Sequence, residues 1–253
     1  MSGEEPRQFE ELWPHADALL TAAAGKGATL RLMGGLAVRR LSADLGGLDP
    51  ERRVYHDIDL VGRQREVRAL DAAIVGLGYQ PDRAVNTQFG TVRRVYYHPD
   101  GFHVDLFFER LEFCHTIVLG DRLRLVPRTI PPADLLLQKL QIVERNEKDL
   151  IDVFWLLLNH ELVPGDPRQI EVDRVVSLTA VDWGLHTTAS DFLAHTADLL
   201  SEEQLTSLSR DRVAVRLAKL QAAISAAPKS LRWRARERVG RRVRWYRVVE
   251  EVL

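Results

Sequence analysis

The sequence predicts an α+β fold, in which a mixed β-sheet flanked by helices is followed by a helical C-terminal domain. Short apolar runs alternate with helical segments as far as Pro127, and beyond that residue the pattern is helical. The composition is that of an ordinary globular protein, with 45% hydrophobic and 28% charged residues among 253. We therefore predict two domains, a mixed one over residues 1–127 and a helical one over residues 128–253.

The first predicted domain contains three helices and five strands, which follow from apolar periodicity and from the glycines and prolines between segments. The segment His98–Gly101, with the sequence HPDG, is typical of a hairpin turn between two apolar strands. In chain order the predicted elements are a helix over 9–24, a strand over 28–33, a helix over 36–45, a strand over 54–61, a helix over 66–77, and strands over 91–97, 102–108 and 123–126.

The second predicted domain begins with a long helix. Two prolines, Pro131 and Pro132, precede a helical stretch that we expect to run from Ala133 to His160. A loop rich in proline and glycine follows over residues 163–168. The remainder has helical composition, and the polar groups at residues 201–203 and at Asp211 predict helix starts.

Composition excludes several classes of protein. The single cysteine, Cys114, rules out an intramolecular disulfide and a cysteine-based zinc site. No run of 18 apolar residues occurs, so we expect no membrane-spanning helix. The acidic N-terminal stretch lacks the apolar core of a signal peptide. These observations together predict a cytoplasmic protein.

The net charge of −1 conceals a basic C-terminus. The segment Lys229–Leu253 carries nine basic and three acidic residues, whereas the rest of the chain has 26 basic and 33 acidic ones. An apolar stripe at helical spacing predicts that this segment is a packed helix. Its arginines and tryptophans would suit contact with a nucleic acid, or they could pair with the acidic remainder of the same chain. The stripe consists of Leu231, Ala235, Val239, Val243, Tyr246, Val249 and Leu253.

Three aspartates occupy strand positions that an apolar core would not accept. Side chains alternate along a strand, so Asp57 and Asp59 share one face, and Asp105 is a lone acid in another apolar strand. Carboxylates on neighbouring strands could hold Mg²⁺, which prefers oxygen ligands, and two such ions about 3.5–4 Å apart suit nucleotidyl transfer. The alternative is a solvated sheet edge. His103 shares the face of Asp105, and it could contact substrate or lie at the rim of the sheet.

A glycine pair follows the first predicted strand. Gly34 and Gly35 precede a helix, whose N-terminal amides and glycine backbone suit the close approach of a phosphate. The pair is part of neither a P-loop nor a dinucleotide-binding fingerprint, and an ordinary turn is the alternative.

The ordered set of Gly34-Gly35, Asp57-Ile58-Asp59 and Asp105 resembles the nucleotidyltransferase superfamily typified by DNA polymerase β. Within it, the chain is most similar to small bacterial aminoglycoside, abortive-infection and toxin-type nucleotidyltransferases. The resemblance implies that the three aspartates are catalytic and bind two Mg²⁺ ions. It also implies that the two glycines contact the nucleotide triphosphate through backbone amides, since the hydroxyl of the usual Gly-Ser pair is missing.

A second part of the resemblance lies after the sheet. Lys139, followed by Asp149 and Asp152, is similar to a helix pair of toxin-type members, which implies that the lysine meets phosphate and the acids lie near the nucleotide. The alternatives are a lysine that extends to solvent, and ion pairs within one helix between Arg145 and Asp149 and between Lys148 and Asp152.

The resemblance implies a metal-dependent enzyme that transfers a nucleoside monophosphate from an NTP, expected to be ATP, to an acceptor hydroxyl. The acceptor could belong to a small molecule, a tRNA or a protein, and the implied roles include antibiotic resistance and toxin–antitoxin systems. The alternative is a module of the same fold that has lost catalysis and binds nucleic acid through its basic C-terminus.

Overall fold

The computed structural model describes residues 5–202 and 204–248. Contacts within the chain divide it into two compact units. The first, which we call the sheet unit, contains the chain as far as Arg40 together with Pro50–Leu111 and Val118–Pro131. The second, the helical unit, contains Leu41–Asp49, Glu112–Ile117 and the chain from Pro132 onward. The division into two domains after residue 127 stays a prediction.

The sheet unit is built on a five-stranded mixed sheet, and the predicted α+β fold class is confirmed. Its strands lie in the order Leu30–Leu32, Asp57–Gly62, His103–Phe108, Arg93–Tyr97 and Gln80–Pro81. The second and third of these are parallel, and the other neighbouring pairs are antiparallel. Two further short strands, Arg110–Glu112 (β6) and Thr116–Val118 (β7), follow. The elements as far as β5 are α1 (Phe9–Gly25), β1 (Leu30–Leu32), α2 (Gly34–Leu41), β2 (Asp57–Gly62), α3 (Val67–Gly76), β3 (Gln80–Pro81), α4 (Arg83–Phe89), β4 (Arg93–Tyr97) and β5 (His103–Phe108).

The hairpin between β4 and β5 forms where the sequence predicts it. Tyr97 pairs with His103, and the backbone amide of His98 donates a hydrogen bond to the carbonyl of Phe102. Gly101 has a φ of 86°, a conformation that glycine adopts without steric cost. This turn fixes the register of β4 against β5 and so decides which side chains face each other in the sheet.

The helical unit contains six helices among the described residues. Its core is mostly apolar, and the helix Glu147–Asn159 alone buries ten consecutive side chains, from Asp149 to Leu158, of which eight are apolar. Among the described residues, no helix is both long and apolar enough to cross a bilayer. The elements are α5 (Pro132–Leu140), α6 (Glu147–Asn159), β8 (Leu162–Val163), β9 (Ile170–Glu171), α7 (Val172–Val181), α8 (Trp183–Leu199), α9 (Ser207–Ala226) and α10 (Leu231–Val239).

Three sequence predictions of secondary structure are wrong. The helix expected from Ala133 to His160 is interrupted, because Asn146 caps a new helix through a capping box with Asp149. Residues Gly120–Arg124 form a 3₁₀ helix in place of the strand expected over 123–126. Ser201 and Glu202 lie in a turn, and Glu203 lies outside the described residues. The next helix starts after Thr206, whose side chain caps it, so Asp211 lies inside that helix and does not begin one.

The predicted apolar stripe near the C-terminus is also wrong. Helix α10 ends at Val239, before Gly240 with its φ of 61°, so no continuous helix aligns the stripe. Leu231 is 82% exposed and Val243 is 59% exposed, whereas Trp233 is buried. The last two members of the stripe, at positions 249 and 253, lie outside the described residues.

Candidate functional site

The parallel pairing of β2 with β5 brings the acidic strand positions together. Asp57 pairs with His103, and Asp59 pairs with Asp105, so these four residues occupy one face of two adjacent strands. The intervening apolar side chains point to the opposite face and are fully buried, as Ile58 illustrates. The sheet therefore separates an apolar layer from a polar face that carries three carboxylates and an imidazole.

The polar face contains a cluster with the chemistry of a metal site. Ligand atoms of Asp57, His103 and Asp105 all lie within 4.8 Å of one another. The Nε2 atom of His103 lies 4.0 Å from Oδ2 of Asp57 and 3.6 Å from Oδ2 of Asp105. The sequence predicted a cluster of Asp57, Asp59 and Asp105. The cluster found here contains Asp57 and Asp105 with the imidazole of His103, whereas Asp59 is not part of it and lies beside Asp105 on the same face.

Asp105 has an ion-pair partner that the motif analysis did not identify. Arg93 on β4 donates from Nε to Oδ1 at 3.0 Å and from Nη2 to Oδ2 at 2.8 Å. Because the Asp105 side chain is only 7% exposed, this bidentate contact balances a charge that would be costly alone. The HPDG turn of the sequence sets the register of this hairpin and places Val95 opposite Asp105. Arg93, two residues before Val95, is therefore a diagonal neighbour of Asp105 on the same face.

The glycine turn lies directly against this acidic face. Gly34 has a φ of 66°, and a Cβ atom there would lie 2.0 Å from Oδ2 of Asp59. The backbone amide of Met33 donates to the carbonyl of Asp59 at 2.9 Å, which holds the turn on strand β2. Only a glycine allows this approach, so the turn and the carboxylate form one structural element.

The second glycine of the turn borders a buried cation. A Cβ atom on Gly35 would lie 1.8 Å from Nη2 of Arg53, whose side chain also packs over the ring of Tyr55. Arg53 is only 6% exposed. Its guanidinium places positive charge beside the N-terminus of helix α2, which strengthens the anion-binding character of the turn. The sequence analysis missed Arg53, since it lies in a loop without a motif.

The other predicted nucleotide-binding residues lie in the helical unit. Nζ of Lys139 on α5 lies 3.1 Å from Oδ1 of Asp149 and 2.8 Å from Oδ2 of Asp152. All three side chains are buried, so Lys139 does not extend to solvent, and its ion pairs join two helices. A phosphate contact for Lys139 and a nucleotide contact for the two acids stay predictions.

The donor set of the polar face fits a divalent metal. Asp57 has a side chain that is 41% exposed, and Asp59 is partly exposed, so both offer oxygens at the surface of the sheet unit. Carboxylate oxygens suit Mg²⁺ or Mn²⁺, and the nearby imidazole of His103 is acceptable to Mn²⁺. Asp105 is a different case, since a metal at this residue competes with Arg93.

The basic C-terminal segment makes contacts within its own unit. Arg241 pairs with Asp191 at 2.7 Å, Arg247 donates to Thr116 Oγ1 at 2.8 Å, and Arg236 donates to two nearby backbone carbonyls. These contacts agree with the alternative that the arginines serve the fold of the chain itself. Contact with a nucleic acid stays a prediction.

Comparisons with known proteins return structural likenesses. No family model matches the chain, and no curated protein matches it significantly. An antigenic nucleotidyltransferase-like protein from Paracoccidioides brasiliensis is similar to it, with a TM-score of 0.47 and 16% identity over 89% of this chain and 97% of the other. The antibiotic-resistance factor ANT(2'')-Ia has a TM-score of 0.38 and 14% identity over 74% of this chain and 93% of its own.

A third solved structure, terminal uridylyl transferase 4 from Trypanosoma brucei with bound GTP, has a TM-score of 0.32 and 15% identity over 88% of this chain and 94% of its own. These are proteins of the kind that the sequence motifs resemble.

Proposed function

We propose that the chain is a cytoplasmic, divalent-metal-dependent nucleotidyltransferase, which transfers a nucleoside monophosphate from an NTP to an acceptor hydroxyl. The observation that supports this most is the contact between the glycine turn and the acidic strands. Gly34 lies where a Cβ would reach Asp59, and Asp59 pairs in register with Asp105. The turn that would bind a phosphate therefore lies, within the sheet unit, next to the carboxylates that would bind the metal ions.

The glycine turn is proposed to bind the triphosphate. The amides of Gly34 and Gly35 begin helix α2, where backbone donors and the helix dipole favour an anion. The guanidinium of Arg53, next to Gly35, adds a full positive charge. These groups hold the phosphates in a fixed position, which is the main contribution of a protein to phosphoryl-type transfer.

Asp57 and Asp59 are proposed to hold two Mg²⁺ ions, with Asp105 as a third ligand of one of them. When bound, such ions neutralise phosphate charge and polarise the reacting oxygens. The acceptor oxygen forms a bond to the α-phosphorus, the α–β anhydride bond breaks, and pyrophosphate leaves with the electron pair. The hydroxyl proton goes to Oδ2 of Asp105 or to Nε2 of His103, and these two atoms lie 3.6 Å apart.

The substrates are proposed by chemical class. ATP is the proposed NTP, and the acceptor is a hydroxyl of a small molecule such as an aminoglycoside, of an RNA such as tRNA, or of a protein. Lys139, Asp149 and Asp152 are proposed to lie near the nucleotide. Roles in antibiotic resistance and in toxin–antitoxin systems are the biological settings in which such a transfer is expected.

The test uses the purified chain with Mg²⁺ and each of the four α-labelled NTPs. Acceptors are an aminoglycoside panel, total tRNA and a protein mixture, and binding of a fluorescent ATP analogue is measured in parallel. We expect the Asp57→Asn/Asp59→Asn double variant to lose at least about 100-fold in transfer rate, since it lacks the charge that holds the ions.

Asp198→Asn is the matched control, because Asp198 is an exposed acid in the helical unit and should leave transfer unchanged. The proposal fails if the wild-type chain shows neither metal-dependent transfer nor ATP binding. It also fails if the double variant keeps full activity.

A further inference from the structure

Three metal-ligating side chains meet in the sheet unit outside the candidate site. His15 lies on helix α1, and His98 and Asp100 lie in the turn between β4 and β5. Their ligand atoms all lie within 4.8 Å of one another. The Nδ1 atom of His98 is 3.4 Å from Oδ2 of Asp100. None of these residues belongs to the acidic face of β2 and β5, and the proposed transfer reaction uses none of them.

The two imidazoles are held in place by aromatic packing. The ring centroids of His15 and His98 are 4.6 Å apart, and both rings pack against Phe102, at 4.9 Å and 4.7 Å. The hydroxyl of Tyr79 lies 3.4 Å from Nδ1 of His15, which leaves Nε2 of that ring for a ligand. Packing therefore limits ring rotation and lowers the entropy that metal binding would cost.

The turn orients the third ligand. The backbone amide of Asp100 donates to Nδ1 of His98 at 3.2 Å, and Arg7 donates to the backbone carbonyl of Asp100. These contacts fix the main chain of the turn, while the Asp100 side chain is 61% exposed. An ion can thus reach the carboxylate from solvent.

The distances suit a tetrahedral ion. With metal–ligand bonds of about 2.0–2.1 Å, two ligand atoms of a tetrahedral Zn²⁺ lie about 3.3–3.4 Å apart. The separation between His98 Nδ1 and Asp100 Oδ2 is 3.4 Å, so these two ligand atoms already have the spacing of a tetrahedral site. On binding, the ion would take the Nδ1 lone pair that accepts the Asp100 amide in the free protein, and so would replace that hydrogen bond. The ligand atom of His15 lies within 4.8 Å of the other two, so closure of the site requires a shift of up to about 1.5 Å. Small χ changes of His15 within its packing, together with movement of the exposed Asp100 side chain, supply it. Two imidazoles with one carboxylate favour Zn²⁺ or Co²⁺ over Mg²⁺.

We propose that His15, His98 and Asp100 bind one Zn²⁺ ion, with water in the fourth position. The ion connects helix α1 to the β4–β5 turn, two segments that are distant in the sequence. Its role is to fix the start of β5, the strand that carries His103 and Asp105. The site is therefore a structural clamp that is chemically different from the oxygen-rich site proposed for Mg²⁺.

The experiment measures Zn²⁺ affinity of metal-free protein by competition with a chromophoric chelator. Co²⁺ absorption spectra report on tetrahedral coordination. We expect one tight Zn²⁺ per chain, a rise in Tm of roughly 5–10 °C at 100-fold excess over Kd, and at least tenfold weaker binding in His98→Ala and Asp100→Asn. Asp100→Asn alters an exposed side chain, so its result stands even if His98→Ala does not fold.

Two controls locate the ion. His195→Ala removes a histidine of the helical unit, and Asp57→Asn/His103→Ala disables the acidic face; both should keep the wild-type Zn²⁺ affinity. The inference is overturned if wild-type protein binds no Zn²⁺, or if His98→Ala and Asp100→Asn bind it as tightly as wild type. Loss of the tight ion in Asp57→Asn/His103→Ala also overturns it, because that ion then belongs to the acidic face.

Discussion

Replacement of Arg93 by methionine should lower the stability of the protein and at the same time raise the affinity of the acidic face for a divalent metal. The substitution keeps most of the aliphatic stem and removes the guanidinium that donates twice to Asp105. Asp105 then carries a buried charge without this partner. We expect a less stable protein in the absence of divalent ions and a larger stabilisation by Mg²⁺ or Mn²⁺, since the cation no longer competes with an arginine.

The size of the effect follows from burial. Removal of one partner from a fully buried ion pair costs about 3–5 kcal/mol. Asp105 has a side chain that is 7% exposed and Arg93 one that is 23% exposed, so solvent screens part of the charge and we expect about 2–3 kcal/mol. At roughly 2–4 °C per kcal/mol, Tm falls by roughly 4–12 °C. At saturating metal, each tenfold gain in metal affinity raises the free energy of unfolding by about 1.4 kcal/mol.

The assay is thermal unfolding of wild type and Arg93→Met over a titration of Mg²⁺ and Mn²⁺. Arg94→Met is the matched control: Arg94 is the next residue on β4, and it pairs with Asp71 on helix α3, away from the acidic face. It should cost about 1 kcal/mol or less and leave the metal response unchanged. The reasoning is refuted if Arg93→Met unfolds at the wild-type temperature, or if its metal response equals that of wild type.

Three further changes have expected outcomes. Gly34→Ala should abolish nucleotide binding and lower Tm, because it places an alanine at positive φ against the Asp59 carboxylate. Gly25→Ala is the control and should change neither, since a Cβ atom there meets no atom within 4 Å. Binding of a fluorescent ATP analogue and a thermal melting curve measure the two effects. Lys139→Met should cost about 3–5 kcal/mol in a denaturant titration by leaving two buried carboxylates without this partner, and a wild-type midpoint contradicts it. Burial, with a smaller contribution from Lys229, lowers the pKa of His186 to about 4. Between pH 6.5 and pH 4 the unfolded chain therefore binds a proton at this histidine that the folded chain does not, and the free energy of unfolding should fall by on the order of 2–3 kcal/mol. Tm measured against pH should show this fall in wild type and lack it in His186→Leu.

Four of the five strands of the sheet were predictable because their signals are local, whereas the two-residue strand β3 has no such signal. Alternation of apolar and polar residues marks β2 and β5, and the HPDG turn fixes how β4 meets β5. The positions of Asp57, Asp59 and Asp105 on one face follow from the two-residue period of a strand. The sequence could not show that β2 and β5 pair in parallel with Asp59 opposite Asp105, since two α-helices and two strands lie between these segments in the chain.

The rest depended on contacts that no local pattern contains. Arg53 reaches the site from a loop, and an arginine there is equally typical of a solvated surface. Arg93 differs, because the hairpin register places it diagonally to Asp105, although its ion pair with that residue is visible only in the structure. The break before Asn146 was hidden by helix-forming residues on both sides, so the capping box was read as helix interior. At the C-terminus, one glycine at position 240 ended a helix that apolar spacing had predicted to continue.

The close approach of Gly34 to Asp59 means that substitutions at these two positions are expected to depend on each other during evolution. While the carboxylate stays, any side chain at position 34 would need the space that its Oδ2 occupies. If Asp59 were replaced by a smaller residue, that crowding would disappear, and only the positive φ would still disfavour a side chain. If the chain has the proposed activity, descendants that lose it are therefore expected to lose the acid first and the glycine afterwards. The order of the two losses would date the point at which a lineage stopped using the site.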